Sequence, residues 1–283
     1  MQNLRIIHLT EYHYKTDVGF GTHVAMLRPR EGHDVHIHSA KLEISPTAEK
    51  RWLRDIYGNS IAVITFAERS TMLRILSEVD VEISDDDPRE CLIDPSAREY
   101  PFQYAPSEQM EIIPYRVPSY PYDGIVVQNW LREIYKPGDV IATFDLLRKL
   151  NTRIFEFFEY SRREEMGVQM PCRTIALGSG SCRDFAVFMM EAARHLGFAA
   201  RFVTGYILMG EGQHGATHAW TEIYIPGTGW RGFDPTNNKL AGYEHVSVAV
   251  AREHDKACPL SGSWDGPMDA FDHMNVSVQV VSR

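Results

Sequence analysis

A glycine-rich turn leads directly into an amphipathic helical pattern near the middle of the chain. Gly178 and Gly180 let the backbone bend tightly, and apolar residues then recur at helical spacing from Cys182 onward. Gly197 follows as a stop signal. The pattern predicts a helix over residues 182–195 whose first turn carries a cysteine.

Segments with strand character lie on both sides of this helix. Alternating or β-branched runs bounded by turn residues are typical of strands in antiparallel sheets. Before the helix they predict strands at residues 4–9, 33–39, 61–66 and 75–83. After the helix they predict strands at residues 201–208, 218–225, 230–233, 246–250 and 275–281. The expected fold class is α+β, with the cysteine helix packed on an antiparallel sheet.

The chain divides into three predicted regions. Residues 1–85 form a β-rich N-terminal domain, and residues 86–127 form a linker rich in Pro and Tyr. We expect no regular helix in this linker because proline is so dense. Residues 128–283 form the core, which includes the C-terminal strands. An apolar stripe over residues 140–158 predicts a further helix after Pro137 and Gly138.

Three side chains along the core have the chemistry of an activated nucleophile. Cys182 stands at a helix N-terminus, whose partial positive charge favours a thiolate. His218 can exchange protons near neutral pH, and Asp234 can orient its ring. A turn at residues 226–229 joins the two predicted strands that carry His218 and Asp234, so the pair can lie side by side.

Each of these residues also has a purely structural interpretation. An isolated cysteine is usually a small buried hydrophobe, and an isolated histidine is more often a structural residue than a catalytic one. Asp234 precedes Pro235 and could simply cap a turn. The residues alone leave both interpretations open.

Composition and charge exclude several classes of function. The formal net charge of −9 and the absence of a basic run argue against nucleic-acid binding. No apolar run has the length of a signal peptide or a membrane span, so we expect no membrane association. The four cysteines are too scattered for a disulfide scaffold, and a reducing cytoplasm fits them best.

No cofactor or metal is expected. His36 and His38 could ligate zinc from one strand face, but a third ligand is missing and a solvated face is the better interpretation. Zinc on Cys182, His218 and Asp234 would occupy the lone pairs that proton transfer needs. The acidic run at residues 85–87 lacks the rest of a calcium loop, and the glycine-rich segment 210–215 predicts a loop that could gate access.

Three segments resemble the transglutaminase-like superfamily. Residues 174–186 are similar to its nucleophile segment, residues 217–222 to its histidine strand and residues 229–237 to its aspartate strand. A weaker similarity links residues 28–30 and 55–59 to the β-rich N-terminal domain of the bacterial branch. The resemblance implies a papain-like core and a triad of Cys182, His218 and Asp234. It also implies structural or site-supporting roles for Arg183, Asp184 and Trp220.

The resemblance leaves the reaction open. Enzymes of the family form a thioester on the cysteine, which water or an amine then attacks. We expect hydrolysis of a peptide or protein substrate, because the bacterial branch resembles cysteine peptidases. A transamidase and a non-catalytic binding protein are the alternatives, and the oligomeric state is not predicted. The family usually supplies a second oxyanion donor upstream of the cysteine, and the candidates are Gln128, Asn129, Trp130 and Gln169.

Overall fold

The fold combines helices and antiparallel sheets in a computed structural model that describes residues 1–84, 92–208 and 215–283. Five α-helices lie in these ranges: α1 Pro106–Arg116, α2 Gly124–Leu131, α3 Thr143–Phe157, α4 Pro171–Leu177 and α5 Cys182–His195. Short 3₁₀ turns occur at Pro95–Ala97, Pro121–Asp123 and His254–Ala257. The α+β class is confirmed.

The strands fall into two groups along the chain. Those before the cysteine helix are β1 Gln2–Phe20, β2 His23–Ala25, β3 Val35–Ser45, β4 Ala48–Arg54, β5 Ser60–Phe66, β6 Ser70–Ile83, β7 Glu99–Tyr100, β8 Ile141–Ala142, β9 Glu159–Tyr160 and β10 Ser179–Gly180. Those after it are β11 Ala199–Ile207, β12 His218–Ile225, β13 Gly229–Asp234, β14 Lys239–Leu240, β15 His245–Ala251, β16 Leu260–Ser261, β17 Trp264–Asp265 and β18 Phe271–Ser282.

The N-terminal region consists of two antiparallel sheets. One has the order β17-β1-β6-β3, with β18 also paired to β1, and the other has the order β16-β2-β5-β4. Alternate residues of β1 and β6 are buried, as expected for strands with one face on a core. The alternation that predicted strands here is therefore confirmed, although the strands are longer than predicted.

The C-terminal strands β16, β17 and β18 pair with strands of the N-terminal sheets, whereas the sequence predicted that they belong to the core. β18 pairs with β1 from Leu4 to Tyr14, while β16 and β17 pair with β2 and β1. The physical reason is that β1 can form backbone hydrogen bonds along both of its edges, and β6 pairs with only one of them. The last strand satisfies the other edge, which would otherwise expose unpaired backbone groups.

The core places α5 against a five-stranded antiparallel sheet of order β14-β13-β12-β11-β15. The α5 bounds match the helix predicted from the glycine turn, and Gly197 has the positive φ of a helix stop. The helix predicted over residues 140–158 is also present as α3. It begins later than the stripe suggested, because Ile141 and Ala142 pair with β7 instead.

The prediction that the proline-rich linker excludes regular helix is wrong. Residues 106–116 form α1, and residues 124–131 form α2. Pro106 occupies the first turn of α1, where a missing N–H costs nothing. Pro114 lies in the last turn, where the helix is about to end. The position of each proline therefore mattered more than their density.

Polar contacts fasten the N-terminal sheets to the core, and two of them involve the buried side chains of Asn59 and His8. Asn59 is fully buried and exchanges two hydrogen bonds with the Val250 backbone, of 2.8 and 2.9 Å. His8 of β1 hydrogen-bonds the Tyr206 hydroxyl of β11 at 2.9 Å. One continuous hydrophobic cluster includes residues of β1, β18, α5 and β11, among them Leu4, Ile6, Val278, Val280, Phe185, Phe188 and Tyr206.

Several expectations fall outside the described residues: the acidic run at residues 85–87, Cys91, and nearly all of the glycine-rich segment 210–215. Among the described helices, none has the length and apolar character needed to cross a bilayer.

Candidate active site

The cysteine is delivered by a tight connection between two helices. α4 ends at Gly178, whose φ of 65° is left-handed, and β10 then forms a short parallel pair with β9. A Cβ on Gly180 would lie 3.0 Å from Asp184 Cβ and 3.1 Å from Phe185 Cε1. Only glycine fits there without displacing the start of α5, which explains the glycine in the turn.

Asp184 holds this connection from the first turn of α5. Its side chain is fully buried and accepts hydrogen bonds from the backbone N–H of Ser181 at 2.8 Å and of Gln169 at 2.7 Å. The Ser181 hydroxyl and the Arg163 guanidinium also donate to it. Burial raises the pKa of Asp184, but these hydrogen bonds outweigh burial and hold it below its ordinary value.

The other two residues predicted to support the site also pack around it. The Arg183 guanidinium donates to the backbone carbonyls of Arg163 and Glu165, which lie in the segment that Asp184 also binds. Trp220 is buried, and its ring lies 6.1 Å from the His218 ring at an interplanar angle of 29°. Trp220 therefore forms one wall against the histidine.

The predicted thiol, imidazole and carboxylate come together in one cluster. His218 Nε2 lies 2.8 Å from Asp234 Oδ2. The Cys182 thiol lies close enough to His218 to raise the pKa of its ring. Because Nε2 faces the carboxylate, the Nδ1 nitrogen is left for the thiol. His218 is 8% exposed and Asp234 is fully buried, so both partners are largely shielded from water.

The electrostatics of this pair favour charge on both partners. Burial lowers the pKa of His218, but the hydrogen bonds and charges of Asp234 and Cys182 outweigh burial and raise it from 6.5 to about 10. Burial likewise raises the pKa of Asp234, but hydrogen bonds from His218 and His245 and their charges hold it well below its ordinary value. An imidazolium at neutral pH is the partner that a thiolate requires.

Asp234 is saturated with donors, which fixes its orientation. Oδ1 accepts from the backbone N–H of Thr236 at 3.0 Å and of Asn237 at 3.3 Å. Oδ2 accepts from the Asn237 amide at 2.7 Å, and His245 Nε2 lies 3.1 Å from the same oxygen. A buried carboxylate so fully bonded holds the His218 ring in one orientation.

The sheet brings the histidine and aspartate strands to the cysteine helix. β12 and β13 are antiparallel neighbours, joined by the turn expected at residues 226–229. The Thr221 hydroxyl donates to the Ala186 carbonyl of α5 at 2.6 Å. This bond joins β12 to the helix three residues from His218.

Two residues of the cluster were not predicted as site residues. Asn237 lies three residues after Asp234 in the same turn, and its side-chain amide donates to the Asp234 carboxylate. Asp side chains in turns often hydrogen-bond groups a few residues further along the chain. His245 begins β15, at the far edge of the sheet from β13. Nothing in the sequence near His245 marks it, because its contact with Asp234 depends on how the strands assemble.

Other candidates lie away from the cluster or remain unassigned. His36 and His38 are exposed and pair with Glu31 and Glu82, each at 3.1 Å. Of the four candidate oxyanion donors, Gln128 and Asn129 are exposed, while Gln169 and Trp130 are buried. The second oxyanion donor therefore stays a prediction among these residues.

Comparison with known proteins agrees with this architecture. The family model described as "Transglutaminase-like superfamily" matches residues 132–235, and the model described as "Bacterial transglutaminase-like N-terminal region" matches residues 4–82. The first match ends one residue beyond Asp234. The core and the β-rich region before it therefore each have a counterpart among known families.

Relatives and solved structures match along most of the chain. Uncharacterized proteins of Mycobacterium tuberculosis and Mycobacterium bovis are 26% identical over 279 residues, covering 91% of this chain and 86% of theirs. The crystal structure of a "Putative Cysteine Protease" from Cytophaga hutchinsonii has a TM-score of 0.75 at 21% identity, covering 99% of this chain and 90% of that one. That likeness shows a shared fold. The chain therefore contains a transglutaminase-like core at residues 132–235, with a bacterial transglutaminase-like N-terminal region ahead of it at residues 4–82.

Proposed function

We propose that this protein hydrolyses a peptide or amide bond through a thioester on Cys182. The observation that carries the proposal is the chain of contacts from Cys182 through His218 to Asp234 at the start of α5. A cysteine-dependent fold is supported by the family match. The particular reaction and the role of each residue are our inference.

In the first half of the reaction, the Cys182 thiolate attacks the carbonyl carbon of the substrate. The carbonyl electrons move onto oxygen, and the backbone N–H of Cys182, the first residue of α5, faces the resulting oxyanion, because an N–H at this position lacks an intrahelical acceptor. As the intermediate collapses, the C–N bond breaks and His218 passes its proton to the departing amine. The acyl group is then a thioester on Cys182, and His218 is neutral.

In the second half, water replaces the amine. Neutral His218 takes a proton from a water molecule as its oxygen attacks the thioester carbonyl. Collapse breaks the C–S bond, releases a carboxylic acid and restores the thiolate–imidazolium pair. Asp234 stays ionised and stabilises the imidazolium at both ends of the cycle. If a primary amine attacked instead, the same residues would catalyse transamidation.

Selective alkylation tests the nucleophile. We expect a limiting thiol reagent to modify Cys182 first, because His218 beside it favours the reactive thiolate. Burial raises the pKa of the Cys172 and Cys258 thiols, so both should react more slowly. Mapping the modified cysteine by mass spectrometry gives the answer. If Cys182 reacts only after denaturation, the catalytic interpretation is wrong.

A peptide library tests the reaction. Incubation with and without an added primary amine should yield cleaved peptides in both cases, and Cys182→Ala should abolish cleavage. Amine incorporation in place of cleavage would assign transamidation. A reactive Cys182 together with neither product would favour a binding protein that retains the core.

A further inference from the structure

Two imidazoles converge on one carboxylate oxygen behind the thiol. His218 Nε2 and His245 Nε2 lie 2.8 and 3.1 Å from Asp234 Oδ2. The three atoms lie within 4.8 Å of one another. All three residues are buried, and they come from β12, β13 and β15 of one rigid sheet. In the proposed reaction His218 is the acid and base, and His245 takes part only as a donor to Asp234.

Two imidazole nitrogens and one carboxylate oxygen form a donor set that suits a first-row transition ion. Zinc binds such ligands at about 2.1 Å in tetrahedral geometry, which separates neighbouring ligand atoms by roughly 3.4 Å. The Nε2–Oδ2 distances of 2.8 and 3.1 Å would lengthen by about 0.6 and 0.3 Å to reach that separation. An ion between the rings would replace the protons that now join them to Asp234.

The surroundings favour such an exchange. His245 Nδ1 is buried and makes no hydrogen bond within the described ranges, so the contact of Nε2 with Asp234 is the hydrogen bond that holds this ring there. The Asn237 amide lies 3.4 Å from His218 Nε2, and rotation of that amide would offer its oxygen as a fourth ligand. A cavity of about 440 Å³, lined by Asn238, Leu240 and Tyr243 among others, borders the cluster at His245.

We propose that His218, Asp234 and His245 form a zinc site, and that zinc reversibly switches the protein off. A zinc ion on Nε2 of His218 would leave the proton on Nδ1, so the ring could no longer accept one from water. It would also take the Asp234 oxygen that stabilises the imidazolium. The inhibitory consequence rests on the proposed hydrolase function, whereas zinc binding itself does not.

Calorimetry on an inactive variant measures zinc binding separately from any effect of zinc on the proposed hydrolase activity. Zinc chloride is titrated into Cys182→Ala, which removes the thiol as a competing ligand. We expect one zinc ion per chain. Adding His245→Gln should weaken binding at least about tenfold, because one nitrogen ligand is lost. Calcium and magnesium should not bind, since both prefer all-oxygen sites.

A matched control addresses the other histidine pair. His36→Gln with His38→Gln, in the same Cys182→Ala background, should leave zinc affinity unchanged. The proposal is overturned if zinc does not bind saturably, or if His245→Gln leaves zinc affinity unchanged. It is also overturned if the His36 and His38 changes abolish zinc binding. Circular dichroism checks the fold of each variant. If His245→Gln unfolds, Asp234→Asn replaces it, with the same loss of zinc expected.

Discussion

Thr221 on the histidine strand donates a 2.6 Å hydrogen bond to the Ala186 carbonyl on the cysteine helix. Both ends of this bond are buried, and it is a direct polar link between the strand that carries His218 and the helix that begins with Cys182. The relative placement of nucleophile and base therefore depends on a contact that itself takes no part in the chemistry.

Removing this hydroxyl should impair catalysis more than stability. We expect Thr221→Val to lower the free energy of unfolding by about 1 kcal/mol. It should lower kcat/KM about tenfold or more, since small displacements of catalytic groups are costly. Urea unfolding and steady-state kinetics provide the two readouts. Thr221→Ser keeps the hydroxyl and should restore most of the activity, and equal losses in both variants would contradict the role of the bond.

Asp234→Asn should lower the pKa of His218 from about 10 toward its ordinary value of 6.5, because the carboxylate that opposes the effect of burial is lost. NMR titration of the His218 ring, assigned with His218→Gln, measures the change. Exposed Asp265→Asn serves as the control, and an unchanged His218 pKa in Asp234→Asn would refute the charge argument.

The same pair predicts how stability depends on pH. The raised pKa of His218 stabilises the fold fully below pH 6.5, and this contribution is lost as pH rises toward 10. The lowered pKa of Asp234 contributes above pH 3.8 and is lost in acid. The wild-type protein should therefore be more stable than Asp234→Asn, and the difference should be largest between pH 3.8 and 6.5. Urea unfolding across pH measures the difference, which should shrink on the alkaline side.

His8 should make the fold sensitive to acid. Burial lowers its pKa from 6.5 to about 4, so the unfolded chain binds more protons between these values. Stability is full above pH 6.5 and is lost as pH falls toward 4. From pH 7 to 4.5 His8 should account for about 2 kcal/mol of the loss. His8→Gln should remove that part in urea unfolding, whereas exposed His33→Gln should leave the pH profile unchanged.

Asn59→Asp should loosen the attachment of the N-terminal sheets. The Asn59 amide N–H donates to the Val250 carbonyl and to Asp55, so a carboxylate there would face two acceptors at 2.8 Å. We expect a loss of at least about 2 kcal/mol in unfolding free energy, together with faster limited proteolysis. Exposed Asn275→Asp is the matched control. Equal behaviour of the two variants would show that the contact between Asn59 and the Val250 backbone contributes little.

Local signals were enough to predict the elements that carry the site. The glycine turn, the helical periodicity and Gly197 together define α5 from Cys182 to His195. The bounds of β12 also match the strand predicted at residues 218–225. These features depend on backbone preferences and side-chain spacing within a short segment, and both can be read from the sequence of that segment alone.

Tertiary structure decided what depends on contacts between distant segments. β18 pairs with β1 although they lie at opposite ends of the chain. The unpaired N–H and C=O groups along the open edge of β1 can bond any strand that packs beside them. Pro106 is tolerated because it lies in the first turn of α1. His245 reaches Asp234 only through the assembled sheet. The sequence by itself determined the nucleophile turn and the strands of its partners, whereas packing alone supplied the second imidazole and the attachment of the N-terminal sheets.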